Sequence, residues 1–349
     1  MSNSYSDIIR TTVKHCQRGS EKPIQLPPEN LDTSLSHKLV MIMKSRLSIR
    51  DNFLIRWCQN ALNQGLVAAR RGQLVTAEHF FAQVSARLQS DMLSTEGGLI
   101  CKSFHEVAEA YLDYRRSAFD QARTRLFEGL AIDVVLEEEY GYELLYLHRL
   151  QIGLHLVRID AQCMWFDRAI DLACRLLSHL EGASEVLPLP GSWGSERVAL
   201  LSPDIVAALF VQITGQVALI LAGKNRQVAR DLFAIAAHHM QLQSEGNCHC
   251  HPRFHAWLLV KQAFVDNDVT TFLERASHFL AEGRANTPVL WYATVVDLVS
   301  LCGDLALPNS ESVRREIASN AVKWEHLPQP FFSLLGVNIG LVIPGATQS

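Results

Sequence analysis

Residues Ala61–Leu88, ALNQGLVAARRGQLVTAEHFFAQVSARL, decide the fold. Gly65 and Ala68 lie three apart on a first helix, Arg71-Gly72-Gln73-Leu74 makes a turn, and Ala77 precedes Phe81 by four on a second helix. Small residues at these places let two antiparallel helices approach closely, and the aromatic fills the groove toward a following pair. Immediately upstream, Phe53, Leu54, Trp57, Cys58, Ala61, Leu62, Gly65, Leu66 and Ala69 recur at intervals that put them on the buried face of one helix beginning near Asp51.

The same theme returns along the chain. Ala110 with Ala122-x3-Leu126, Val157 with Ala169-x3-Ala173, and Val217 with Ala229-x3-Phe233 repeat it, and a further copy runs through Trp257, Ala263, Phe272 and Ala276. Ala77, Ala122, Ala169 and Ala229 are separated by 45, 47 and 60 residues. From Asp51 to Leu280 the pattern resembles the tetratricopeptide repeat, whose first helix carries Gly with a small or aromatic residue three on and whose second carries Ala with an aromatic four on. The family period is about 34 residues, so the helices or linkers here are longer. The resemblance implies an all-α, superhelical array of antiparallel helix pairs, a TPR-like α-solenoid, that holds a protein or peptide partner in its concave face.

The domain reading works outward from these pairs. Residues 1–48 are expected to be a polar leader, interrupted by Pro23, Pro27 and Pro28, with a capping helix from Asp32 through Lys44. The repeat domain spans 49–325, crossed by a Gly/Pro/Ser-rich connector at about 181–203 and closed by a helical pair near Val289–Leu301 and Glu311–Val322. Residues 326–349 form an apolar tail, Phe331 to Ile343, expected to pack on the last pair.

With 349 residues, 48% hydrophobic, 19% charged and a net charge of −4, the chain has ample material for a core. It has no basic excess of the kind that phosphate-dominated nucleic-acid binding needs. Ile205–Ala222, IVAALFVQITGQVALILA, is eighteen residues without a charge, the lower length limit of a membrane span. Gln212, Thr214 and Gln216 at its centre and the absence of a basic or aromatic flank favour a buried soluble helix. The N-terminus lacks the basic start and apolar stretch of a secretory signal, and six of the eight cysteines, Cys16, Cys58, Cys101, Cys163, Cys174 and Cys302, are scattered, most of them among apolar residues, so a cytoplasmic protein without structural disulfides is expected.

Three side-chain groups invite chemistry. Cys248, Cys250, His251 and His255, with His238 and His239 upstream, are candidate ligands for zinc or another transition metal, since thiolate and imidazole suit such ions. The C-x2-C spacing of structural zinc sites is missing, and a polar turn from Ser244 to Pro252 is the competing reading. His105 and Glu109 share a helix side and read as a solvent-facing polar pair. His148 and His155, seven apart, line a groove or are buried and hydrogen-bonded. Glu137-Glu138-Glu139 reads as a solvated helix end, and Arg70, Arg71, Arg115 and Arg116 as polar ends of first helices that are well suited to a peptide carboxylate. No G-x-S-x-G elbow, H-E-x-x-H, P-loop or Rossmann glycine signature is present. The leading expectation is a non-catalytic protein- or peptide-binding scaffold. The alternatives are a helical metal-dependent enzyme or metal-binding protein using residues 238–255, and a peptide-sensing regulator.

Overall fold

The computed structural model describes residues 2–25, 31–90, 93–184, 186–191, 195–240, 251–305 and 310–337. Among these residues the chain is all-α, without a strand. The helices are α1 (Ser2–Ser20), α2 (Leu31–Arg46), α3 (Ile49–Arg70), α4 (Leu74–Leu88), α5 (Thr95–Arg115), α6 (Phe119–Tyr140), α7 (Leu145–Gln162), α8 (Phe166–Leu180), α9 (Pro203–Leu221), α10 (Arg226–His239), α11 (Pro252–Val265), α12 (Val269–Ala281), α13 (Pro288–Asp304), α14 (Ser310–Ala321) and α15 (Gln329–Leu334). A short 3-10 turn covers Ser195–Leu200. Consecutive helices pack on each other in a repeat-like arrangement.

The helix starts follow from side-chain chemistry. Ser48 accepts from the Asp51 amide at 3.0 Å and Ser94 from the Gly97 amide at 3.2 Å, capping α3 and α5. Asn225 and Asp268 cap α10 and α12 in the same way. Four inter-helix turns share one geometry. Gly72, Ser117, Met164 and Asn267 each adopt positive φ, between 60° and 78°. The following amide then reaches back five residues, Gln73 to Ala68, Ala118 to Asp113, Trp165 to Asp160 and Asp268 to Ala263, at 2.9–3.0 Å. Glycine adopts this conformation without strain, whereas a side chain there costs about 1 kcal/mol. Met164 is also 73% exposed and anchors nothing in the core. Met164→Gly is therefore expected to raise the urea midpoint, a gain of ~0.5–1 kcal/mol, and Met164→Val to lower it.

The chain divides into two compact units, Pro28–Val206 and Met1–Pro27 with Ala207–Ser349. In the first, α3 pairs with α4, α5 with α6 and α7 with α8, and α5 also packs on α3. Ala77, Ala122 and Ala169, which the repeat pattern singles out, are completely buried, as is Phe81. The Gly65–Phe81 contact is as close as the sequence demands: a Cβ on residue 65 would lie 2.3 Å from the Phe81 ring. Phe53 departs from expectation. It is 69% exposed although its neighbours Leu54 and Cys58 are in the core.

The second unit joins residues far apart in sequence. The expected polar leader contains helix α1, which packs on α12 and buries Ile9, Thr12, Val13 and Cys16. His15 Nδ1 lies 2.7 Å from Ser277 Oγ, Lys22 donates to the Ala281 carbonyl at 2.8 Å, and Arg284 to the Ser20 carbonyl at 2.7 Å. These contacts draw the first 27 residues into the same unit as the C-terminal helices, where the sequence reading had a separate segment of 48. Helix α9 is the one described helix long and apolar enough to cross a membrane, and 61% of its apolar window is buried within the fold. Ala229 on α10 and Ala276 on α12 are completely buried, matching their counterparts in the first unit. The apolar tail packs as expected where it is described: α15 lies on α13, with Phe331, Phe332 and Leu335 buried.

Candidate functional site

Helices α5, α6 and α7 line a half-open cavity of ≈ 250 Å³. Its apolar wall comes from Val107, Ala110, Leu126 and Ile159, its aromatic wall from Tyr111 and Tyr114, and its polar end from His155 and Arg158. Each pair follows from helical spacing: Tyr111 and Tyr114 on α5, and His155 and Arg158 on α7, are three apart and therefore share a side. The two tyrosine rings are stacked, with centroids 6.4 Å apart and planes 22° from parallel. Arg115 donates to the Tyr111 hydroxyl at 3.2 Å and to the Arg70 carbonyl at 3.2 Å, which holds the rim.

The charges around this cavity are unequally satisfied. Arg125 takes up the acidic side of α5, reaching Glu106 at 2.8 Å, Asp113 at 2.9 Å and Glu109 at 3.7 Å. Asp160 is held by Arg123 and, at 3.3 Å, by Arg168. Among the described residues no carboxylate pairs with Arg158. Among the described residues its hydrogen bond is to His155 Nδ1, at 3.5 Å. Burial pushes the Arg158 guanidinium below its ordinary value, opposed by the neighbouring Tyr114 and Tyr111 hydroxyls. Arginine nevertheless keeps its proton in proteins. Burial, followed by the positive fields of Arg158, His148 and Arg70, pushes His155 down to about 3. His155 is therefore neutral near pH 7, accepting at Nδ1 and presenting Nε2–H as a donor. The polar end thus offers one cation and one neutral donor against aromatic and aliphatic walls. That arrangement suits an anionic oxygen attached to an apolar body.

The residues singled out by sequence fall in different places. His251 stands at the start of α11, its ring stacked on Phe210 at 3.5 Å between centroids. His255, one turn on, is buried beside Phe254. Cys248 and Cys250 lie outside the described residues, and no group of three or more described His, Cys, Asp or Glu side chains gathers as a metal set. His238 and His239 end α10 with rings 5.2 Å apart.

His105 is buried, not solvent-facing: Nε2 lies 3.1 Å from Ser85 Oγ and 3.6 Å from Glu109. Glu137 is likewise no solvated helix end, being buried in an ion pair with Arg149, although Glu138 and Glu139 are exposed. Burial lowers Arg149 to about 10, with Glu137 opposing. Of the two α7 histidines, His148 is the buried, hydrogen-bonded one, 2.7 Å from Asp133, which also accepts from Ser103 at 2.5 Å. His155 is the groove-lining one. Sequence reasoning missed Arg158, Tyr111 and Tyr114, and the signal that could have found them is a polar-aromatic pair at three-residue spacing near the ends of two successive first helices.

Comparison with protein-family models, curated proteins and solved structures found no match to the chain. The site therefore stands on its own geometry.

Proposed function

We propose that the protein is a non-catalytic recognition module of the helical-repeat kind that binds a protein or peptide segment, seating a carboxylate of that segment on Arg158 and an adjoining aliphatic or aromatic group between Tyr111, Tyr114 and Leu126. The observation that carries this reading is a half-buried arginine facing an apolar cavity with no described carboxylate beside it. Withdrawing a cation from water is costly unless a counter-charge compensates, and a ligand carboxylate supplies one. Tyrosine and arginine are also the side chains that contribute most at recognition surfaces. The cavity lies between the first helices of two successive pairs, α5 and α7, which form the inner wall in a superhelical array of the tetratricopeptide type.

The test is calorimetric titration with N-acetylated peptides ending in Leu or Phe, each prepared as free acid and as amide. Free acids are expected to bind more tightly, and Arg158→Met to weaken them about tenfold or more, equivalent to ~1.4 kcal/mol, leaving the amides unchanged. Equal affinity for acid and amide, or an indifferent Arg158→Met, refutes the proposal.

A further inference from the structure

A second surface on the same unit is built differently. Between α2 and α3 lies an open groove of ≈ 490 Å³ lined by Val40, Met43, Ile49, Phe53 and Trp57. Ile49 is 92% exposed and Phe53 69%. They stand four apart on α3, with Arg56 and Trp57 one turn further, so the apolar stripe continues along one helix side. The groove floor is anchored: Asn52 donates to the carbonyls of Leu47 and Ser48, each at 3.0 Å, fixing the corner between the two helices.

The charge around this stripe has one sign. Residues 38–60 contain Lys38, Lys44, Arg46, Arg50 and Arg56 against a single acid, Asp51. Asp51 is buried, accepting from the Ser94 amide at 3.1 Å and capped by Ser48. Arg46 is committed to Glu96 at 3.1 Å. Lys38, Lys44, Arg50 and Arg56 are exposed, and none pairs with a described carboxylate. An apolar trough between two helices with a wholly basic rim is complementary to a helix carrying large apolar residues at i, i+3 or i+4 and i+7 and carboxylates on its flanks.

We infer that the α2/α3 groove docks an acidic amphipathic helix of a partner protein, with Phe53 and Ile49 as its apolar contacts and Lys44 and Arg56 as its charge contacts. The site is separate from the Arg158 cavity and does not depend on it.

The full-length protein is titrated by fluorescence anisotropy with labelled amphipathic peptides of about five helical turns, Leu on one face and Glu on the flanks, alongside twins carrying Lys in place of Glu. The Glu peptides are expected to bind and the Lys peptides not. Phe53→Asp or Ile49→Asp is expected to weaken the Glu peptides about tenfold or more, whereas Phe53→Leu and Arg158→Met preserve them. The double charge reversal Lys44→Glu with Arg56→Glu is expected to reject the Glu peptides and admit the Lys peptides. Circular dichroism and urea midpoints matching the unsubstituted protein show that each variant is folded, as the exposure of these side chains leads one to expect. The inference is overturned by equal binding of Glu and Lys peptides, by no binding up to about 100 μM, or by a charge reversal that does not exchange the preference. It is also overturned if Phe53→Asp abolishes self-association, or adsorption to anionic vesicles, while peptide binding is absent, since the occupant is then a second copy or a lipid surface.

Discussion

Lys261→Met is expected to destabilise the protein by ~3–5 kcal/mol. Lys261 on α11 and Asp297 on α13 are 1% and 2% exposed, with Nζ 2.8 and 2.9 Å from the two carboxylate oxygens. Burial raises the Asp297 carboxyl, and the lysine opposes that rise. Removing the lysine leaves burial alone, so the aspartate must either ionise unpaired or take up a proton. The sign follows: a folded-state value lifted above the unfolded one, about 3.9, favours the folded protein below the unfolded value and progressively less as pH rises through the folded one. The deficit of Lys261→Met should thus be small near pH 4 and grow toward pH 8. Lys261→Met with Asp297→Leu removes both charges and should recover most of the loss. Urea denaturation at several pH values measures all three proteins. A double variant as unstable as the single one would show that packing, not charge, holds these two helices.

The other large effect concerns the helix pair that opens the repeat pattern. Phe81→Ala, at a completely buried ring, is expected to cost ~3–5 kcal/mol. Gly65→Ala places a Cβ against that ring and should cost ~1–3 kcal/mol through overpacking. The informative measurement is the cycle. In the Phe81→Ala background the ring is gone, the new methyl has room, and alanine gains about 1 kcal/mol of helix propensity over glycine. Gly65→Ala should then change sign, from destabilising to stabilising, with a strong coupling energy. Simple additivity of the two substitutions would show that residues 65 and 81 do not meet.

These two sites differ in how far sequence reveals them. The Gly65–Phe81 contact is legible because it is local: a turn of fixed geometry forces the two positions together, and period-three and period-four spacing marks the sides that meet. The same logic found the repeated alanines and the helical pairs as far as α14. Lys261 and Asp297 drew no attention, because a buried charge looks like any other charge until a second helix sets its partner beside it. Phe53 is the reverse case. Its apolar character and spacing assign it to a core, yet α2 packs too little against α3 to cover it. Helix α1 reads as polar leader because its buried side, Ile9, Thr12, Val13 and Cys16, contains only three apolar residues in a mostly polar helix. What makes it a helix of the fold is α12, more than two hundred residues away.

Sequence alone determined that this chain is built of consecutive helices that pack on one another, since the periodicity of apolar residues and the small-residue positions of close helix contact are properties of neighbouring residues. It also put His148 and His155 on one side of α7, either lining a groove or buried and hydrogen-bonded, without deciding between the two. Only the tertiary structure decided that α1 joins the C-terminal helices, that Glu137 and His105 are buried, and that Arg158 faces a cavity with no acidic partner among the described residues while Arg125 and Arg123 take up the nearby carboxylates. The physical reason is that burial and charge pairing are set by which side of one helix meets another, and that choice is made between residues distant in the chain.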